Sequence, residues 1–307
     1  GVSYCFIFIF ILIIANVIKY PFFEFAPRYT SSTGKSLIDG YGRIGKWALV
    51  LYAILTVSTM FAITAAIAMV KAGLFSSLVG WNFNIQLLTM AIMVFTMMFL
   101  IVGKFKMLEG AMKYIILILT ISTILAVIFA FKGTLPEANH FDWSQAVDIA
   151  FLIAFVGWMP TTSDVSVWHS NWTEAKQKNI QKKISLKSSI RDFNIGYIGT
   201  GFLAIGFLAL GAFVMYGSGE EFSGKSTVIA GQLVKMYTYS MGDWAYYLIG
   251  IAAFTTMLST SVTVMDAYPR VLKPTFQNLI HKTFFSQSGF DWSYLMWMVV
   301  LIAGTWG

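Results

Sequence analysis

One stretch of the chain, residues 144–178, decides its fold: SQAVDIAFLIAFVGWMPTTSDVSVWHSNWTEAKQK. The first half is apolar, and the segment GWMP, which begins at Gly157, interrupts the helical pattern before a more polar second half. Proline lacks an amide hydrogen and collides with the carbonyl four residues earlier, and glycine loosens the same turn. We therefore expect a helix that breaks near its centre and leaves the carbonyls of Val156 and Gly157 without helical partners.

The composition places this helix in a membrane. Of the 307 residues, 57% are hydrophobic and only 11% are charged, whereas soluble domains carry about a quarter charged residues. The apolar runs are long and continuous, without the alternation of an outer-membrane barrel, so the sequence predicts an all-α polytopic membrane protein. Seven segments have the length of a membrane span, and an eighth begins near Ser293. The seven are 4–27, 46–72, 84–103, 108–131, 144–169, 193–217 and 241–268.

Charge alternates between successive loops. Basic residues cluster at 28–46, 104–106, 176–191 and 270–282, and the loops between these clusters are uncharged or acidic. The positive-inside rule makes the basic loops cytoplasmic. We expect an integral protein of the bacterial inner (plasma) membrane. The net charge of +7 therefore reflects membrane orientation and not nucleic-acid binding. Residues 1–307 are expected to form a single transmembrane domain that is incomplete at both ends.

The break at mid-membrane is a candidate cation site. Unpaired carbonyls are tolerated at that depth only where they line a cavity or bind an ion. Met159 adds a soft thioether suited to a transition metal, and the segment from Thr161 to Asp164 is expected to form the first turn of a second half-helix. Asp164 has two interpretations, because an aspartate at a helix start is also an ordinary cap.

Other ionisable residues lie in or near the spans. His169 is a candidate proton carrier, although a histidine near the end of a span is more often an interfacial residue. Asp148 and Asp266 are functional hypotheses because acids are costly within a membrane. Glu24 lies on one helix face with Lys19 and Arg28, which predicts a local ion pair.

Three segments carry a resemblance to a known family. GWMPTTSDVSVWHSNWTEAKQK (157–178) resembles the sixth transmembrane helix of Nramp-type divalent metal transporters, in which a Met-Pro-His break precedes a half-helix with a second His-Ser. NVIKYPFFEFAPRYTSSTGKSLIDGYGRIGKW (16–47) is similar to the second helix and its loop in an Nramp-related branch. DFNIGYIGTGFLAIGFLALGAF (192–213) is similar to the seventh helix.

The resemblance implies a LeuT-like inverted-repeat transporter fold, represented here by about helices two to nine. It implies an ion bound between broken helices one and six and alternating access coupled to protons. Met159 matches the metal-binding methionine of the family, and its carbonyl ligand falls on Val156. The histidine after Met-Pro is replaced by Thr161, and His169-Ser170 resembles the later His-Ser. The Asp-Pro-Gly-Asn motif of helix one is absent, so a related branch that carries the harder Mg²⁺ ion stays open.

These patterns predict a secondary transporter that moves a divalent metal cation resembling Mn²⁺ or Fe²⁺, or Mg²⁺. The predicted ligands are Met159, the carbonyls of Val156 and Gly157, Thr161 and Asp164; the partners are the metal, protons and lipid, with no cofactor. One alternative is an organic-solute or amino-acid carrier of the same architecture. Another is a sensor or scaffold that does not transport. No nucleophile–base pair or cofactor motif indicates an enzyme.

Overall fold

The protein is built from α-helices throughout the part of the chain that the structure describes. This computed structural model describes residues 7–80, 84–101, 105–131, 144–214, 226–280 and 292–306. Eleven helices lie within these ranges. They are α1 (Ile7–Thr33), α2 (Leu37–Ile44), α3 (Lys46–Val79), α4 (Ile85–Ile101), α5 (Phe105–Ala130), α6 (Ala146–Trp158), α7 (Asp164–Ile180), α8 (Leu186–Val214), α9 (Ser226–Met241), α10 (Ala245–Ile280) and α11 (Trp292–Trp306).

Four of these helices, α1, α3, α8 and α10, are long and apolar enough to cross a membrane. In their most apolar windows only 22–39% of the residues are buried inside the protein. Large apolar side chains such as Phe10, Phe22 and Phe202 are at least two-thirds exposed. Helices that present so much apolar surface are typical of proteins surrounded by lipid. The predicted all-helical membrane class is therefore confirmed.

Some helices extend beyond the predicted spans, because polar residues and prolines did not end them. Helix α3 continues to Val79 and ends at Gly80, whose left-handed backbone (φ 72°) lets its N–H bond to the Ser76 carbonyl. This is the usual termination by glycine. Helix α10 runs twelve residues past the expected end and contains Pro269 and Pro274.

The chain divides into two compact units. The first comprises Gly1–Gly40 and Thr123–Glu221, and the second comprises Tyr41–Ser122 and Phe222–Gly307. Within the first unit, α1 packs along α7 and α8 and touches α6. Within the second unit, α3 packs against α4, α9, α10 and α11. The first unit therefore contains the interrupted segment together with the helices that pack against it.

Candidate functional site

The predicted helix break is present in the first unit. Helix α6 ends at Trp158, and Met159 follows it in an extended conformation (φ −96°, ψ 129°), joined to Pro160 by a cis peptide. Helix α7 begins at Asp164. The connection is therefore longer than expected, because residues 161–163 precede α7 and do not form its first turn. Gly157 is exposed, and a β-carbon at this position would meet no neighbouring group within 4 Å.

The freed carbonyls have a partner that the sequence did not predict. The Lys19 ammonium, on α1, donates hydrogen bonds of 2.5 Å to the Val156 carbonyl and 2.9 Å to the Gly157 carbonyl. The last carbonyls of a helix lack partners within it and carry the negative end of its dipole, so they attract a cation. The carboxyl end of α6 thus holds a positive charge supplied by the protein itself.

The predicted ion pair around Glu24 forms only in part. Glu24 accepts a hydrogen bond of 2.6 Å from the Arg28 guanidinium one turn later. Lys19 does not take part, because its side chain extends toward the α6 carbonyls instead. The spacing along the helix predicts that Glu24 pairs with both Lys19 and Arg28. In the structure Glu24 pairs with Arg28, and Lys19 instead makes a tertiary contact with α6.

Hydrogen bonds position α1 beside the break. The Tyr20 hydroxyl donates to the Asn194 side-chain oxygen at 2.8 Å, and the Tyr197 hydroxyl donates to the Asn16 carbonyl at 2.8 Å. On the other flank, the Ser166 hydroxyl donates to the carbonyl of Phe22 at 3.3 Å. These bonds bracket Lys19 along α1, so the register between α1 and its neighbours is fixed at the level of the break.

The predicted ligand residues lie along one short stretch of chain, residues 156–164. Met159, Thr161 and Asp164 are each half-buried, and Asp164 is the first residue of α7. Across the described residues there is no group of three or more histidine, cysteine, aspartate or glutamate side chains that could hold a metal. Any cation bound here would therefore depend mainly on backbone carbonyls, the Met159 thioether and single side-chain oxygens.

His169 lies beyond the break, on α7. Its ring contacts Phe193 with the ring centroids 6.3 Å apart, and its Nδ1 atom is buried without a hydrogen-bond partner among the described residues. The neighbouring Ser170 is fully buried and accepts the Leu37 amide hydrogen at 3.0 Å. Ser170 is thus part of the packing, and the proposed proton role of His169 stays a prediction.

The two membrane acids, Asp148 and Asp266, lie on α6 and α10. Asp148 is a buried residue in the first turn of α6. Asp266, in the second unit, accepts bonds from Arg270 at 2.6 and 3.0 Å and from the Tyr294 hydroxyl at 2.6 Å. The Asp266 carboxylate thus accepts bonds from residues of both α10 and α11, and these bonds account for a buried acid at this position.

The fold and composition define an α-helical membrane protein. No protein-family model matches the chain. An uncharacterized protein of Pasteurella multocida (strain Pm70) is 36% identical over 267 residues. The match covers 85% of this chain and 61% of that relative, so the chain spans about three-fifths of the relative's length.

Proposed function

We propose that the protein is a secondary transporter that moves a divalent metal cation across a membrane. Its cargo site is the break between α6 and α7, in a LeuT-like inverted-repeat architecture that works by alternating access. Discontinuous helices at mid-membrane are the usual place where such carriers bind ions, because the exposed ends of the half-helices supply both carbonyls and dipoles. The basic loops face the cytoplasm in this proposal, and the metal is cargo, not a resident cofactor.

One observation carries the proposal: two backbone carbonyls at the end of α6 converge on a cation. The Lys19 ammonium stands 2.5 Å from the Val156 oxygen and 2.9 Å from the Gly157 oxygen. The ammonium stands in for the cargo, because a metal ion would use the same oxygen lone pairs. Both oxygens belong to the unpaired carboxyl end of a helix, which favours any positive charge placed there.

The neighbouring side chains would complete the coordination. The Met159 thioether is a soft ligand that favours transition metals, whereas Thr161 and Asp164 offer harder oxygens. This mixture suits Mn²⁺ or Fe²⁺, and a site that used only the oxygens would suit Mg²⁺. His169, five residues along α7, is the candidate for coupling to protons because imidazole titrates near neutral pH.

The test of this proposal is metal binding by the full-length protein and by its Met159→Ala variant. Isothermal titration calorimetry in detergent should give at least a tenfold weaker affinity for Cd²⁺ and a smaller loss for Mn²⁺, because cadmium gains more from a thioether. Met69→Ala is the matched control, since Met69 lies on α3 and is 41% exposed. If Met159→Ala binds Cd²⁺ and Mn²⁺ each as tightly as wild type does, Met159 is not a metal ligand.

A second cargo class is favoured by the same lysine. Lys19 brings a positive charge to the break, and the amino end of α7, at Asp164, follows the break along the chain. Half-helix amino ends and cations favour carboxylates. An organic acid or amino acid is therefore the alternative cargo, and it predicts uptake that does not respond to metals.

A further inference from the structure

The carbonyl pair assigned to the cargo is already occupied by a group of the protein itself. Lys19 donates to both Val156 and Gly157. Its side chain is only partly buried, and it makes no ion pair among the described residues. The nearest acid of α1, Glu24, is paired with Arg28. Two carbonyls are therefore what hold the Lys19 charge in place.

A metal ion cannot share these oxygens with the ammonium. Metal–oxygen bonds are about 2.0–2.6 Å long, so an ion bound to both carbonyls would lie within about 4 Å of the Lys19 nitrogen. Two positive charges at that distance repel strongly wherever the surroundings are less polar than water. Occupancy by Lys19 and occupancy by a metal therefore exclude each other at this carbonyl pair.

The hold on Lys19 is suited to exchange. Neutral carbonyls bind an ammonium less strongly than a carboxylate does, because no opposite formal charge is involved. The lysine side chain has a flexible four-carbon stem, so the ammonium can move away while the Cα of Lys19 stays fixed by the packing of α1. The hydrogen bonds of Tyr20 and Ser166 keep the backbone of α1 beside the break in the meantime.

We infer that Lys19 is a tethered cation that occupies the cargo site and is displaced when cargo binds. This inference rests on the proposed function, because it treats the carbonyls of Val156 and Gly157 as cargo ligands. Lys19 neutralises the negative end of helix α6. The free energy needed to displace it lowers the apparent affinity of the site for the metal. The lysine is then a built-in competitor that sets how much metal is needed to load the site.

The test is Mn²⁺ binding to the full-length protein and to Lys19→Met, measured by calorimetry in detergent. Methionine keeps the apolar stem and removes the charge, so Lys19→Met should bind Mn²⁺ at least tenfold more tightly than wild type. Lys19→Arg keeps a cation and should show no gain. Lys176→Met, which removes an exposed charge on α7, is the matched control and should match wild type. Lys19→Gln provides a second uncharged variant if the methionine variant does not fold.

The outcomes separate the two proposals. Equal Mn²⁺ affinity in wild type, Lys19→Met and Lys19→Gln would overturn the tethered cation while leaving a metal site in place. Mn²⁺ binding by none of the proteins, together with loss of organic-acid binding in the uncharged variants, would overturn metal cargo itself. In that case Lys19 would be a direct ligand for an anion. Tighter Mn²⁺ binding in both uncharged variants, with no gain in Lys19→Arg, supports the tethered cation.

Discussion

The Tyr294→Phe substitution isolates one hydrogen bond between α10 and α11 in the second unit. The Tyr294 hydroxyl donates to an Asp266 carboxylate oxygen at 2.6 Å, and the Asp266 side chain is only 10% exposed. Phenylalanine keeps the ring and removes only the donor. Hydrogen bonds to charged groups contribute about 1.5–3 kcal/mol to stability, so the upper limit of the loss is about 3 kcal/mol.

The rest of the network reduces that figure. Arg270 donates two bonds to the same carboxylate, at 2.6 and 3.0 Å, so Asp266 keeps partners after the substitution. The Arg270 side chain is 40% exposed, and solvent-exposed ion pairs contribute only about 0–1 kcal/mol. The bonds from Tyr294 and from Arg270 to Asp266 are all partly buried. We expect Tyr294→Phe to lower the free energy of unfolding by about 1.5 kcal/mol, the lower end of the range for such bonds.

The assay is reversible unfolding in mixed micelles by titration with sodium dodecyl sulfate. Tyr239→Phe is the matched control, because Tyr239 lies on α9 in the same unit and is 77% exposed; its stability should equal that of wild type. In a double-mutant cycle, Tyr294→Phe should cost little once Asp266→Asn has removed the charge. An equal cost in both backgrounds, or no cost in wild type, would refute the network described here.

Two further substitutions test buried polar groups. Lys71→Met should stabilise the protein by about 1–3 kcal/mol, because Lys71 is fully buried and its amine has no hydrogen-bond partner among the described residues. Lys46→Met, at an exposed position, is the control. A loss of stability in Lys71→Met would mean that the amine binds another group. Ser170→Ala should destabilise the protein by about 1–3 kcal/mol, because the buried Leu37 amide hydrogen loses its acceptor and the Val167 carbonyl loses a donor. A free energy of unfolding in micelles equal to that of wild type would contradict this.

The break in the fifth predicted span could be predicted from the sequence because its causes are local. Pro160 removes a donor and Gly157 loosens the turn, and both effects act within a few residues. The starting point of α7 was less predictable. Thr161 and its neighbours can cap or continue a helix, so the choice depends on the surrounding packing.

The role of Lys19 could not be read from the sequence. It lies 137 residues from Val156 along the chain, and only the packing of α1 against the interrupted segment brings the two together. Local spacing favoured a partner five residues along α1, Glu24, which is paired with Arg28 instead. Sequence patterns thus identified the carbonyls of the candidate site but not the cation that they hold.

Uptake by the full-length protein in proteoliposomes tests the central claim most directly. Vesicles loaded with a metal-sensitive fluorophore should report entry of Mn²⁺, and Met159→Ala should slow that entry while Met69→Ala does not. We expect the wild-type protein to take up metal through the site at the α6–α7 break. Uptake of an amino acid or organic acid without any response to Mn²⁺, Fe²⁺ or Mg²⁺ would contradict it.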